Sequence, residues 1–177
     1  MRLIKRPLEL GAIKYFTEVG HHRTAIEAAV QYVREGFARS AENANDLLVS
    51  ELSPILCEWV IETIYQGAYL REFHLWEKTC KEYFSPKDVN MKPSKSVAFT
   101  DHVKGVLSSE FALTVPDDVI AALSTMRCKV NRMKHESGVQ DEEFISAAEY
   151  EAAVATIEQF WEFLEENEHV SNSNDAP

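Results

Sequence analysis

Residues 146–164 read Ser146-Ala147-Ala148-Glu149-Tyr150-Glu151-Ala152-Ala153-Val154-Ala155-Thr156-Ile157-Glu158-Gln159-Phe160-Trp161-Glu162-Phe163-Leu164, and no other segment states its conformation so plainly. A Ser followed three residues later by a Glu is a capping box: each side chain satisfies a backbone N–H that the start of a helix leaves unpaired. Tyr150, Ala153, Val154, Ile157, Trp161 and Leu164 then recur at three- and four-residue spacing and form one apolar face. The helix is expected to run to about Asn167, and residues 169–177 form a polar tail expected to lack fixed structure.

The same logic works upstream. Pro116 is a favoured first helical residue, and Asp117 and Asp118 suit the positive end of the helix dipole. Val119, Leu123, Met126, Val130 and Met133 make the buried stripe of this helix, with Gly138 as its stop. A shorter helix is expected from about Thr100 to Phe111, with Thr100 or Asp101 as its cap. Ser53-Pro54 opens a long helix that carries Leu56, Trp59, Val60, Leu70, Phe73, Trp76, Cys80 and Phe84 towards Ser85-Pro86. Its length would be roughly 45 Å at 1.5 Å per residue. Ala25 to Phe37 is amphipathic, Asn43 to Asp46 reads as a break, and residues 85–99 form the main loop. Strand-like alternation is rare, and no Asn-Gly or Asp-Gly hairpin signal occurs. The expected fold is all-α: a single domain over residues 1–168, built as an antiparallel bundle of four to five helices.

Composition agrees. A chain of 177 residues, 45% apolar, can bury a sizeable core without disulfides or metal. Cys57, Cys80 and Cys128 are odd in number and widely spaced among apolar neighbours, which points to free thiols in a reducing, cytoplasmic setting. The apolar runs are short and broken by charge, so no membrane span is expected, and the first residues lack the features of a secretory signal. The net charge of −11 is local: residues 141–177 hold eleven acidic groups and no Lys or Arg, while residues 1–140 balance at 18 acidic and 18 basic. Phosphate-loop, zinc-protease, EF-hand and nucleophile-elbow motifs are missing, so no cofactor or metal is expected. The adjacent His21 and His22 point to different faces of a helix, which gives a metal site there little support.

One segment looks chemical. Arg127, Lys129, Arg132 and Lys134 put four cations into eight positions, and His135 follows. At 100° per residue, Arg127, Asn131 and Lys134 lie within about 60° of one another, with His135 about 40° beyond Asn131. Arg and Lys can hold phosphate oxygens, Asn can orient them, and His can move a proton near neutral pH. The plain alternative is a solvated basic helix end favoured by the dipole. Glu77, near the buried face of the preceding long helix, is within reach of Arg127 or Lys134 and would orient the Arg.

A long helix ending in Arg…Asn…Lys-His, then a loop and a final amphipathic helix, resembles the HEPN superfamily over about residues 50–168. In that family an Arg is followed four to six residues later by a His; here seven residues separate Arg127 from His135, and Cys128 follows the Arg. The resemblance implies a homodimeric, metal-independent ribonuclease of a toxin–antitoxin or antiphage system. Arg127 and His135 would be catalytic, and Asn131, Arg132 and Lys134 would bind RNA or another phosphate-bearing ligand. Two alternatives stay open. One is a non-cleaving, HEPN-like adaptor that meets a cognate protein; the other is an inhibitor whose acidic C-terminal segment mimics nucleic acid.

Overall fold

The computed structural model describes the backbone of residues 7–43, 47–85, 89–94, 96–135 and 144–173; the side chains of residues 7–16, 18, 47–50, 135 and 168–173 fall outside that description. Among the described residues five helices follow one another: α1 (Pro7–Glu42), α2 (Leu47–Phe84), α3 (Phe99–Phe111), α4 (Asp117–His135) and α5 (Ala147–Ser173). No strand occurs among the described residues, so the all-α expectation holds.

The expected start of the final helix is present in full. The Ser146 backbone N–H donates to Glu149 Oε2 at 3.0 Å, and the Glu149 N–H donates to Ser146 Oγ at 3.2 Å. Lys129 of α4 adds a 2.5 Å ion pair to the same carboxylate. The Lys129 bond first, then the Ser146 backbone bond, hold the Glu149 carboxyl down at about 2, from an ordinary 4.5. A depressed carboxyl stabilises the fold fully above the unfolded value and loses that contribution as pH falls through the folded one. The window is therefore about pH 4.5 down to about 2. The group is half-exposed and screened, so Glu149→Ala should cost only about 1 kcal/mol at neutral pH. Urea melts at pH 7 and pH 2.5 check this, since the cost should shrink at the lower value.

Three boundaries differ from the sequence reading. α2 opens at Leu47 and carries Pro54 inside it, not at its start. Pro54 is exposed and removes one backbone donor, a loss that water can offset at the surface. α3 begins at Phe99 with Ala98 at its N-cap and no side-chain cap bond. Thr100 is buried and accepts a 3.1 Å hydrogen bond from Ser124, so it ties α3 to α4 instead of capping. α5 continues beyond Asn167 to Ser173, as polar residues can once a helix is nucleated. Cys128, expected among apolar neighbours, is exposed; Cys57 and Cys80 are buried.

α1 and α2 form the most extensive helix pair. They run antiparallel: Ala41 and Ser53 line one groove near the turn, and His22 meets Glu72 far from it. α2 and α5 run in the same sense, since Tyr65 touches Tyr150, Trp76 touches Phe160 and Tyr83 touches Trp161. The main core lies where α2, from Tyr65 onward, meets α3, α4 and α5. Trp76 is its centre, with Phe73, Phe99 and Phe160 rings at 5.5, 5.6 and 5.5 Å. Towards the α1–α2 turn, beyond Ile61, the described buried residues thin to Ser53 and Cys57, with Phe37 only partly covered. The turn-proximal part of α1 and α2 is thus a two-helix arm that extends from the bundle.

Candidate functional site

Three places carry enough polarity or exposed apolar surface to act on something else. The first is the cationic end of α4. Arg127 is half-buried, while Asn131, Arg132 and Lys134 are exposed. Lys129 is taken up by Glu149. His135 ends the helix, and its side chain lies outside the described residues. Eight positions of helix put Arg127 and His135 about 12 Å apart along the axis. Glu77 does not join this group: its ion pair is with His74 of its own helix, at 3.5 Å. Helix geometry brings Arg127, Asn131 and Lys134 to one flank.

The second is a buried polar cluster that the sequence did not reveal. Glu72 is fully buried on α2, and His22 Nδ1 of α1 lies 2.6 Å from its Oε1. The Tyr150 hydroxyl of α5 donates to the same oxygen at 3.5 Å. Arg23 and Glu151 form an ion pair between α1 and α5 one residue along from His22 and Tyr150. Burial raises the Glu72 carboxyl above its ordinary value, and the attraction of His22 only partly opposes this. Burial and the neighbouring Glu72 also push the Tyr150 phenol up. Glu72 Oε2 has no hydrogen-bond partner among the described residues. The cluster joins three helices at one point and acts as a clamp on α1. No described group of three or more His, Cys, Asp and Glu could hold a metal ion.

The third is the arm. On one side, α1 and α2 enclose an open groove of about 310 Å³ with Arg34 and Ala38 on one wall, Pro54 and Glu58 on the other, and Cys57 at the base. On the opposite side, Leu52, Ile55, Leu56, Trp59 and Val60 of α2 stand 39–59% exposed. Helix geometry separates the two sides: relative to Cys57, Pro54 and Glu58 lie about 60–100° one way, and Val60 and Leu56 about 60–100° the other. On α1, Arg34 and Ala38 lie about 60–100° from Phe37 on the groove side, and Tyr32, 73% exposed, lies about 140° the other way on the outer face of the helix. The sequence signal for this face was present, because Leu56, Trp59 and Val60 are apolar. Periodicity cannot distinguish a face that is covered from one that is not.

Comparison of the chain with protein families, with curated proteins and with solved structures gave no match. What the fold and the site define is an all-α protein, with five helices among its described residues and a projecting helical arm. None of its described helices is long and apolar enough to cross a membrane.

Proposed function

We propose that this chain is a non-enzymatic, cytoplasmic helical interaction protein that docks a partner on the apolar face of its arm. The single observation behind this reading is the row of five large apolar side chains that α2 leaves in water. Proteins that work alone rarely expose a contiguous apolar patch larger than a few hundred Å². Three free thiols suit a reducing compartment.

The test is the double variant Leu56→Glu, Trp59→Glu. Because the face lies outside the core, this protein should keep its helical circular dichroism and a cooperative melt, and should lose the uptake of a hydrophobic dye that dilute wild type shows. A variant that unfolds would place these residues inside the packing and end the docking reading.

A second reading keeps the HEPN-like activity, with Asn131, Arg132 and Lys134 on the surface of α4 holding RNA or another phosphate-bearing ligand. It ranks second because charge opposes it: residues 127–151 contain four Lys and Arg against six Asp and Glu. On this reading, RNA affinity should fall steeply between 50 and 200 mM salt and drop several-fold in Lys134→Ala, as fluorescence anisotropy would measure. RNA cleavage in EDTA that His135→Ala abolishes would overturn the non-enzymatic proposal and make Arg127 and His135 catalytic.

A further inference from the structure

We infer that the occupant of the arm's apolar face is a second copy of this chain, so that two α1–α2 arms stack into a four-helix bundle; this rests on the docking reading above. α2 carries two seams at heptad spacing. Ser53, Cys57, Ile61, Ile64 and Ala68 run at three- and four-residue intervals; Cys57 and Ser53 border the groove with α1, and this seam is covered. Leu52, Leu56 and Trp59 repeat the interval on another side, widened by Ile55 and Val60, and this seam is open. A helix with one filled and one empty seam has the pattern of a bundle of more than two helices, and the arm supplies only two.

Charge and area favour the chain itself over a different protein. Leu52, Leu56, Trp59 and Val60 have no ionised residue among them: Glu58 falls on the groove side, Glu51 and Glu62 border the seam only at its Ile55 edge, and the next residue along it is Thr63. A two-fold contact sets a patch against its own image, which is costly wherever the patch is charged. In a chain of net charge −11, a neutral apolar face is the surface most able to meet itself. The five residues present on the order of 500 Å². With their polar margins, they approach the roughly 800 Å² per partner of a stable complex. A four-helix arrangement would also cover Trp59, which is 59% exposed in the single chain, while Trp76 and Trp161 are already sealed.

Sedimentation equilibrium of the full chain from low to high micromolar concentration tests this. Wild type should fit twice the 20.1 kDa chain mass, and the Leu56→Glu, Trp59→Glu protein should fit one chain. On dilution, Trp59 emission should shift to the red in wild type as the dimer separates. A second arm uses Leu56→Cys with the exposed Cys128 changed to Ser: oxidation should cross-link this protein into dimers, and the Cys128→Ser parent should not form them. A wild-type protein that is monomeric at every concentration and still binds the hydrophobic dye overturns the second-copy inference alone. Monomer without dye binding removes the docking reading as well. A dimer that survives Leu56→Glu, Trp59→Glu, or an open-ended series of oligomers, would put the contact on another surface and overturn the inference.

Discussion

Trp76→Ala is expected to destabilise the protein by about 4 kcal/mol, the upper range for removing a buried aromatic ring. Trp76 is fully buried on α2 and touches Phe73 of its own helix, Phe99 of α3 and Phe160 of α5. The Phe99 and Phe160 rings meet it edge-on, both at 83°, the arrangement in which aromatic quadrupoles attract. Truncation would leave a cavity where three helices meet, with no single neighbour able to fill it. A domain's entire stability is about 5–15 kcal/mol, so the loss is large. Trp76→Phe should cost only about 1–2 kcal/mol, because the buried indole N–H has no hydrogen-bond partner among the described residues and its removal offsets part of the lost contact. Urea unfolding followed by circular dichroism gives both values. Equal costs for the two variants would show that the indole nitrogen is satisfied and the ring volume secondary.

The second large effect is at Glu72, where two substitutions should diverge. Glu72→Ala opens space in the core and leaves His22 and Tyr150 without their shared acceptor, for a loss of about 3 kcal/mol. Glu72→Gln keeps the shape and an acceptor oxygen but removes the charge. The folded-state carboxyl is raised, chiefly by burial. A raised carboxyl contributes stability that is complete below the unfolded value and lost as pH rises through the folded one. Wild type and Glu72→Gln should therefore be closest in acid, below the ordinary carboxylate value. The Gln protein should gain relative to wild type as pH climbs towards neutrality. Thermal midpoints of both proteins from pH 4 to pH 8 check this. A gap that moves the other way would mean that the attraction of His22 outweighs the cost of burying the carboxylate.

The helices of the C-terminal half were legible because their signals are local. Ser146 and Glu149 are three residues apart and cap one another whatever surrounds them. Val119, Leu123, Met126 and Val130 are buried along α4, as the spacing required, and Tyr150 to Leu164 likewise along α5. Pro54 misled for the converse reason. Its local preference is for a helix start, yet α2 runs through it. That continuity is favoured by packing against α1 over the length of the arm, a term that no local rule contains.

The candidate sites divide along the same line. The α4 strip was visible because Arg127, Asn131, Lys134 and His135 are neighbours in sequence. The Glu72 clamp was not, since His22 and Glu72 are 50 positions apart and Tyr150 is a further 78. Ion pairs across such separations exist only after the helices have docked, and many other pairings of six His and 29 acidic residues would read equally well beforehand.

By itself, then, the sequence determined that this is an all-α chain, where α4 and α5 begin, and which faces of them are apolar, because capping and periodicity act within a few residues. Only the tertiary structure decided which apolar face stays in water, which carboxylate is sealed inside and which cation is already paired. Those outcomes depend on how far each helix extends past its neighbours: α2 outruns the core that covers its later turns, and Leu52 to Val60 are left uncovered as a result.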